Sequence, residues 1–310
     1  MIPKGKFDWY TPDKVMSQEA GSVFNAISAN VQLPHIPAIV MKVQQMLQDP
    51  DVDMKTLAAQ IKQEPLIASN IFKTANRMKA ARNRHDPPFQ SLEHAMVYIG
   101  TQSLGDIVLT ASLHSFNLPT KKFKADDVWE TSAICALIAE EIAAEYNPAL
   151  SRDEAFLAGY LANVGKIVGA LCFPDKVDGV YNEVYSPTSL TSWTAIELRH
   201  DIVDHCILGE LGAALWGLPD FVLSACRFHH SYARTKENSA EDNALLEVVA
   251  LANYLTHWLT LQPHRIHEAK FESLKAFFNL SEEDLFAFAE GLKHKIKSVE
   301  AVWDHDASNV

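Results

Sequence analysis

The chain has 310 residues, enough for one large domain or two smaller ones, with 48% apolar and 21% charged content, ordinary for a soluble globular protein. Its net charge of −12 argues against sequence-independent nucleic-acid binding, which needs clustered Lys and Arg, and against anionic membrane surfaces. Met1 to Asp8 carries no long apolar run, so no signal peptide is expected, and the four cysteines lack any paired spacing, so buried reduced thiols of a cytoplasmic protein are expected.

The elements read as helix after helix. Asp51 or Asp53, following Pro50, opens a helix through Leu57, Ala58 and Ile61. Pro65 suits the first turn of the next, whose apolar face is Leu66, Ile67, Ile71 and Phe72. Ser91 begins a helix bearing Leu92, Ala95, Met96 and Ile99 that Gly100 stops, and Thr101 is placed to cap another bearing Leu104, Ile107, Val108 and Ala111. The run Lys73, Arg77, Lys79, Arg82, Arg84 is basic on an acidic chain. It reads as a solvated helix end, or as a surface for an acidic partner or phosphate.

Asn117 to Lys124 is polar, basic and broken by Pro119, and reads as the joint between two helical parts. Ala125 to Ala144 is helical. Ser151 and Glu154 form a capping-box pattern opening a long apolar helix that contains Asn163. The apolar segment 155–173 is interrupted by Asn163 and Lys166, so a soluble core helix explains it better than a membrane span. Helices follow around Thr191 to Arg199, from Val203 to Trp216 where Gly217 ends it, and from Pro219 to His229-His230. Tyr232 to Asn243 reads as a mobile loop, and Leu245 to Leu261 as a strong helix. The last helix starts at Ser281, with a stripe of Leu285, Phe288, Leu292, Ile296, Val299 and Trp303 that packs on its own domain or forms a dimer or partner surface. No segment alternates as a strand would, and no fixed-period repeat stands out. The expected class is all-α, with an N-terminal extension 1–19, a helical lobe 20–118, a second lobe 119–260 and a C-terminal helical extension 261–310.

Several short elements, in order, resemble the HDOD family, the HD-related output domain proteins. They are Leu33-Pro34-His35-Ile36-Pro37-Ala38, Gln48-Asp49-Pro50, Glu64-Pro65-Leu66, Thr74-Ala75-Asn76 and Ser91 to Met96 with Ile99-Gly100. A second set is Trp129-Glu130-Thr131-Ser132, Ala155 to Leu161, Glu197, Asp204-His205, Gly209, Leu211-Gly212-Ala213, Trp216 to Pro219 and His229-His230. Each alone is weak; the ordered set over roughly residues 20 to 260 is strong. The resemblance implies a two-lobed helical bundle whose second lobe is HD-domain-like.

HD-type hydrolases bind a divalent metal through histidines, a His-Asp pair and a late Asp. By resemblance their first His falls on Thr131, the His-Asp pair on Ala162-Asn163 and the late Asp on Asn253. Three later histidines match His205, His229 and His230. Alanine cannot ligate, and a neutral carboxamide is a poor substitute for a carboxylate. The resemblance therefore implies a degenerate site without hydrolysis and without a required cofactor. The expected role is regulatory, through protein partners in bacterial signal transduction.

The alternative is a metal-dependent phosphohydrolase acting on nucleotides or cyclic dinucleotides. It would hold a divalent metal on His205, His229 and His230 with Glu197, Asp201 or Asp204 recruited. Otherwise these histidines are core residues hydrogen-bonded to Asp204 and Glu197. Lys166 reads as a lysine snorkelling from a helix edge, or as a contact to the phosphate of a bound nucleotide. Trp129 and Trp216 read as core. Cys206 directly follows His205, but helical neighbours at successive positions do not face each other, so no Cys–His pair is expected.

Overall fold

The helix-forming patterns dominate throughout: every regular element among the described residues is an α-helix, as the all-α reading expected. The chain, seen as a computed structural model, is described over residues 38–47, 49, 51–82, 87–113, 116–186, 193–230 and 240–260, and in pieces between 275 and 296. The N-terminal extension, Leu33 to Pro37, Arg84, the stretch 231–239, Val299 and Trp303 lie outside the described residues.

Two units are separated by their internal contacts. One takes in the described residues up to Asn117 together with those from 287 onward, and the other spans Leu118–Leu285. The first unit contains α1 (Ala38–Leu47), α2 (Met54–Ile61), α3 (Pro65–Arg82), α4 (Leu92–Ile99) and α5 (Thr101–Leu113). Asp53, not Asp51, caps α2: its carboxylate accepts from the Lys55 and Thr56 N–H groups, which have no partner inside the helix. Gly100 turns the chain between α4 and α5 at φ +84°, a conformation that side chains disfavour. Leu57, Ile61, Ile71, Leu92, Met96 and Leu104 fill the core. Lys79, from the basic run, donates to the Pro87 carbonyl at 2.7 Å and lies 4.3 Å above the Phe89 ring, while Asn76 accepts from the Phe89 N–H at 2.7 Å. At this position the run ties a loop to its own helix.

The second unit contains α6 (Ala125–Tyr146), α7 (Arg152–Leu161), α8 (Gly165–Cys172), α9 (Pro174–Val184), α10 (Trp193–Arg199), α11 (His205–Leu215), α12 (Asp220–Phe228) and α13 (Ala240–Thr260). α6 and α7 form a hairpin against which α13 packs, and α8 lies on α11, which pairs with α12. Ser151 caps α7, its hydroxyl accepting from the Glu154 N–H at 3.3 Å. Trp129 and Trp216 are core residues.

Two boundaries depart from the sequence reading. The long apolar helix is two helices, α7 and α8, broken at 162–164, so Asn163 occupies a turn and not a helix interior. The break exists because Gly165 must approach the start of α11: a Cβ built there would stand 1.8 Å from the His205 carbonyl oxygen. The span 152–172 is long and apolar enough to cross a membrane by length and composition, yet 89% of its apolar window is buried in this fold. The second departure is α13, which begins at Ala240, inside the stretch read as loop.

At the C-terminal end Ser281 and Asp284 cap each other. The Asp284 N–H donates to the Ser281 hydroxyl at 3.0 Å, and the Ser281 N–H to the Asp284 carboxylate at 2.9 Å. Of the apolar stripe that follows, Leu285, Leu292 and Ile296 are buried within this chain.

The joint after Leu118 is held by one buried carboxylate. Asp178 on α9 accepts the backbone N–H groups of Lys121, Lys122 and Phe123, each at 2.8 Å. Burial opposes its ionisation, but the three donors outweigh burial and hold its carboxyl below the usual range. Asp178→Ala should cost about 2–4 kcal/mol in urea unfolding, because it leaves three donors without their charged acceptor. A group with a lowered folded-state pKa stabilises above its unfolded pKa and loses that contribution as pH falls through the folded one. The wild type should therefore lose stability below the carboxylate range more steeply than Asp178→Ala, in parallel denaturation series.

Candidate functional site

The ends of four helices of the second unit meet around His205. Asp204 is the N-cap of α11, its carboxylate accepting the Cys206 N–H at 2.7 Å, which fixes where the helix starts and directs His205 inward. His205 is fully buried. Its Nδ1 lies 2.8 Å from Glu197 Oε2, which also accepts the His205 backbone N–H at 3.2 Å. Trp193 Nε1 donates to Glu197 Oε1 at 3.0 Å. Glu197 is thus the carboxylate that orients the imidazole, and Asp204 is not: its nearer oxygen stands 3.9 Å from Nδ1. Asp201, the other carboxylate considered as a replacement ligand, is exposed and paired with Lys176 at 3.0 Å.

His229 follows the last residue of α12 and is also fully buried. Its Nδ1 lies 2.9 Å from the Cys226 carbonyl and 3.2 Å from that of Ala225. Carbonyls only accept, so Nδ1 carries the proton, and the tautomer is assigned by its partners. Nε2 of His229 faces Nε2 of His205 at 3.4 Å. His230 packs its ring edge-on to His205, centroids 5.3 Å apart, and 4.1 Å from His229. The donor atoms of His205, Cys206, His229 and His230 all lie within 4.8 Å of one another. The structure therefore brings the three histidines together as the sequence grouped them, and adds Cys206. Sequence reasoning excluded Cys206 on helical spacing. Successive helical residues do not share a face, yet one donor atom of each still falls within the cluster.

The two carboxamides that the sequence resemblance matched to carboxylate positions of HD hydrolases also meet. Asn163, in the α7–α8 turn, donates from Nδ2 to Asn253 Oδ1 on α13 at 3.0 Å, with both side chains buried. Asn163 Oδ1 has no hydrogen-bond partner among the described residues. Ala162 is fully buried, and the Thr131 hydroxyl is spent on the carbonyls of Asp127 and Val128 in its own helix.

Lys166 does not snorkel. It is only 9% exposed, with its ammonium 4.5 Å above the Trp193 ring. Burial lowers its pKa to about 8, against the opposing pull of Glu197. Cysteine burial is equally clear. The Cys135 thiol is pushed up to about 12 by desolvation, and that of Cys206 well above its ordinary range by burial and by Asp204. All four thiols are free and buried.

A model of the HDOD domain matches residues 33–232 of this chain. The chain belongs to the HDOD family. An uncharacterised protein of Treponema pallidum (strain Nichols) is 21% identical over 267 residues, 86% of this chain and 50% of that protein, so the chain spans about half the length of this curated relative. A crystal structure from Shewanella amazonensis SB2B, named a candidate metal-dependent phosphohydrolase, superposes with a TM-score of 0.63 at 20% identity, covering 92% of this chain and 98% of that one. One from Marinobacter aquaeolei VT8, named a candidate signal transduction protein, gives 0.64 at 19% identity, covering 91% and 64%. At these identities the likeness shows the HDOD fold.

Lys166 has a cost that can be measured. Its folded-state pKa of about 8 lies below the ordinary lysine value of 10.5, so the unfolded chain holds the proton more tightly between these two pH values. Stability should therefore rise with pH across that window. Lys166→Met should be more stable than wild type at neutral pH, by on the order of 1–3 kcal/mol, and flat across the window, as read by urea midpoints from pH 7 to 10.5.

Proposed function

We propose that this HDOD protein is a non-catalytic regulatory module, acting through contacts with protein partners in the cytoplasm of a bacterial signalling circuit. The Asn163–Asn253 hydrogen bond carries this reading. Hydrolysis of a phosphoester on this scaffold would use carboxylates at these positions to hold a hard divalent ion and to activate a water on it. Two carboxylates there would repel one another unless a cation lay between them. Two carboxamides instead bond directly, satisfying one acceptor and one donor with no ion. The remaining donors do not fit a hydrolytic metal centre of that type, so no reaction step is assigned to them.

The recruited-carboxylate alternative has little support. Glu197 sits on the Nδ1 side of His205 and already accepts from Trp193 Nε1 and the His205 backbone N–H, Asp204 is occupied as a helix cap, and Asp201 faces solvent. The name of the Marinobacter aquaeolei protein agrees with a signalling role, and that of the Shewanella amazonensis protein with an ancestry in phosphoester hydrolysis.

Purified tag-free protein, incubated with Mn²⁺, Mg²⁺ or Fe²⁺ and a panel of nucleotides and cyclic dinucleotides, should give no turnover above the no-protein control by chromatography. Metal-dependent product formation that is lost in His205→Ala would refute the regulatory reading.

A further inference from the structure

The carboxylates are gone, but the histidines and Cys206 remain together, which leaves a second question about the same cluster. Its tautomers are constrained. Glu197 accepts from Nδ1 of His205, and two backbone carbonyls accept from Nδ1 of His229, so each ring in its neutral form presents the lone pair of Nε2. These two lone pairs point at each other across 3.4 Å in a site with no solvent exposure at either ring. Such a pair is repulsive unless a proton or a metal ion lies between the nitrogens. Two nitrogens bound about 2.0–2.1 Å from one tetrahedral ion lie about 3.3–3.4 Å apart, so the observed spacing matches one edge of such a site. Cys206 Sγ and one ring nitrogen of His230 belong to the same cluster, in which one donor atom from each of the four residues lies within 4.8 Å of the others.

We propose that His205, Cys206, His229 and His230 form a closed four-donor site for a single zinc-class cation. A three-imidazole, one-thiolate set prefers Zn²⁺ to the harder Mg²⁺ and Mn²⁺, which favour oxygen donors. The contribution of Cys206 takes the ion away from hydrolytic chemistry. Four protein donors complete a tetrahedron and leave no position for a water molecule. The ion joins the first turn of α11 to the end of α12, which places a clamp at the point where the chain leaves α12. Glu197 is a positioning residue: by holding Nδ1 of His205 it aims Nε2 at the ion.

This site is independent of the absence of catalysis. Missing metal would overturn the site and leave the regulatory reading standing, whereas turnover would overturn that reading first. The test is Co²⁺ substitution of reduced, tag-free, full-length protein, followed by Zn²⁺ competition against a chromophoric chelator. Expected are one equivalent bound, visible bands of tetrahedral cobalt, and a near-ultraviolet thiolate-to-cobalt charge-transfer band that Zn²⁺ abolishes. Cys206→Ser should remove the charge-transfer band and weaken Zn²⁺ by at least about 10-fold, while circular dichroism shows the helices intact. Glu197→Gln should keep the band and weaken Zn²⁺ by about 10–100-fold. No retained cobalt at one equivalent, an octahedral spectrum, or a charge-transfer band that survives in Cys206→Ser would each overturn the proposal.

Discussion

The close crossing of α8 on α11 is the constraint on which the site depends. Gly165 and Gly209 let the two backbones touch: a Cβ on Gly165 would fall 2.6 Å from the Gly209 nitrogen as well as onto the His205 carbonyl. Gly212 continues the seam, since a Cβ there would reach 2.6 Å from Val168 Cγ2. Contact this close forces the chain to break between α7 and α8, because one straight helix could not both pack along α6 and reach α11. The break delivers Asn163 toward α13, and the crossing fixes the height of the α11 first turn, where His205 and Cys206 lie. The position of His205 is thus set by backbone contacts that no side chain can relax.

A second layer of control is the hydrogen-bond pattern around the rings. Glu197 takes three N–H donors, from Trp193, from the His205 backbone and from His205 Nδ1, so its carboxylate is held in place although only 4% of the residue is exposed. Trp193 serves twice, since its ring also receives the Lys166 ammonium. Glu197, Trp193 and Lys166 therefore act as one buried unit. The cost of burying the lysine is partly offset by the carboxylate that the tryptophan orients.

Much of this was legible in the sequence. The helices announced themselves by cap residues and apolar spacing: Asp53, Pro65, Ser151 and Gly217 all mark ends where those signals placed them. Helical spacing could not show the break at 162–164, because apolar periodicity runs unbroken through a turn that is buried on every side. The grouping of His205, His229 and His230 came from motif order, and the fold brings them together. Asp204 and Glu197 could not be told apart from sequence, since both are acidic and near His205 along the chain. Only the cap geometry assigns one to the helix terminus and the other to the ring. Lys166 was misread because a lysine at the start of an apolar helix usually reaches water, and here the Trp193 ring and Glu197 receive it instead.

The residues at positions 163 and 253 are best understood through their electrostatics. Carboxylates at positions 163 and 253 would leave two adjacent buried negative charges whenever no ion was bound, and the folded state would then depend on that ion. With carboxamides the pair is neutral and internally bonded, so the α7–α8 turn stays joined to α13 with or without metal. The charge that remains, on Glu197, is balanced by Lys166 from the neighbouring helix. A cation on the histidines and the Cys206 thiolate adds to this arrangement at its other end without needing oxygen ligands. Carboxamides at 163 and 253 and clustered imidazoles at 205, 229 and 230 are therefore compatible. The first pair is joined without an ion, and the second, in the site proposed above, offers a softer ion a place at the α11–α12 junction.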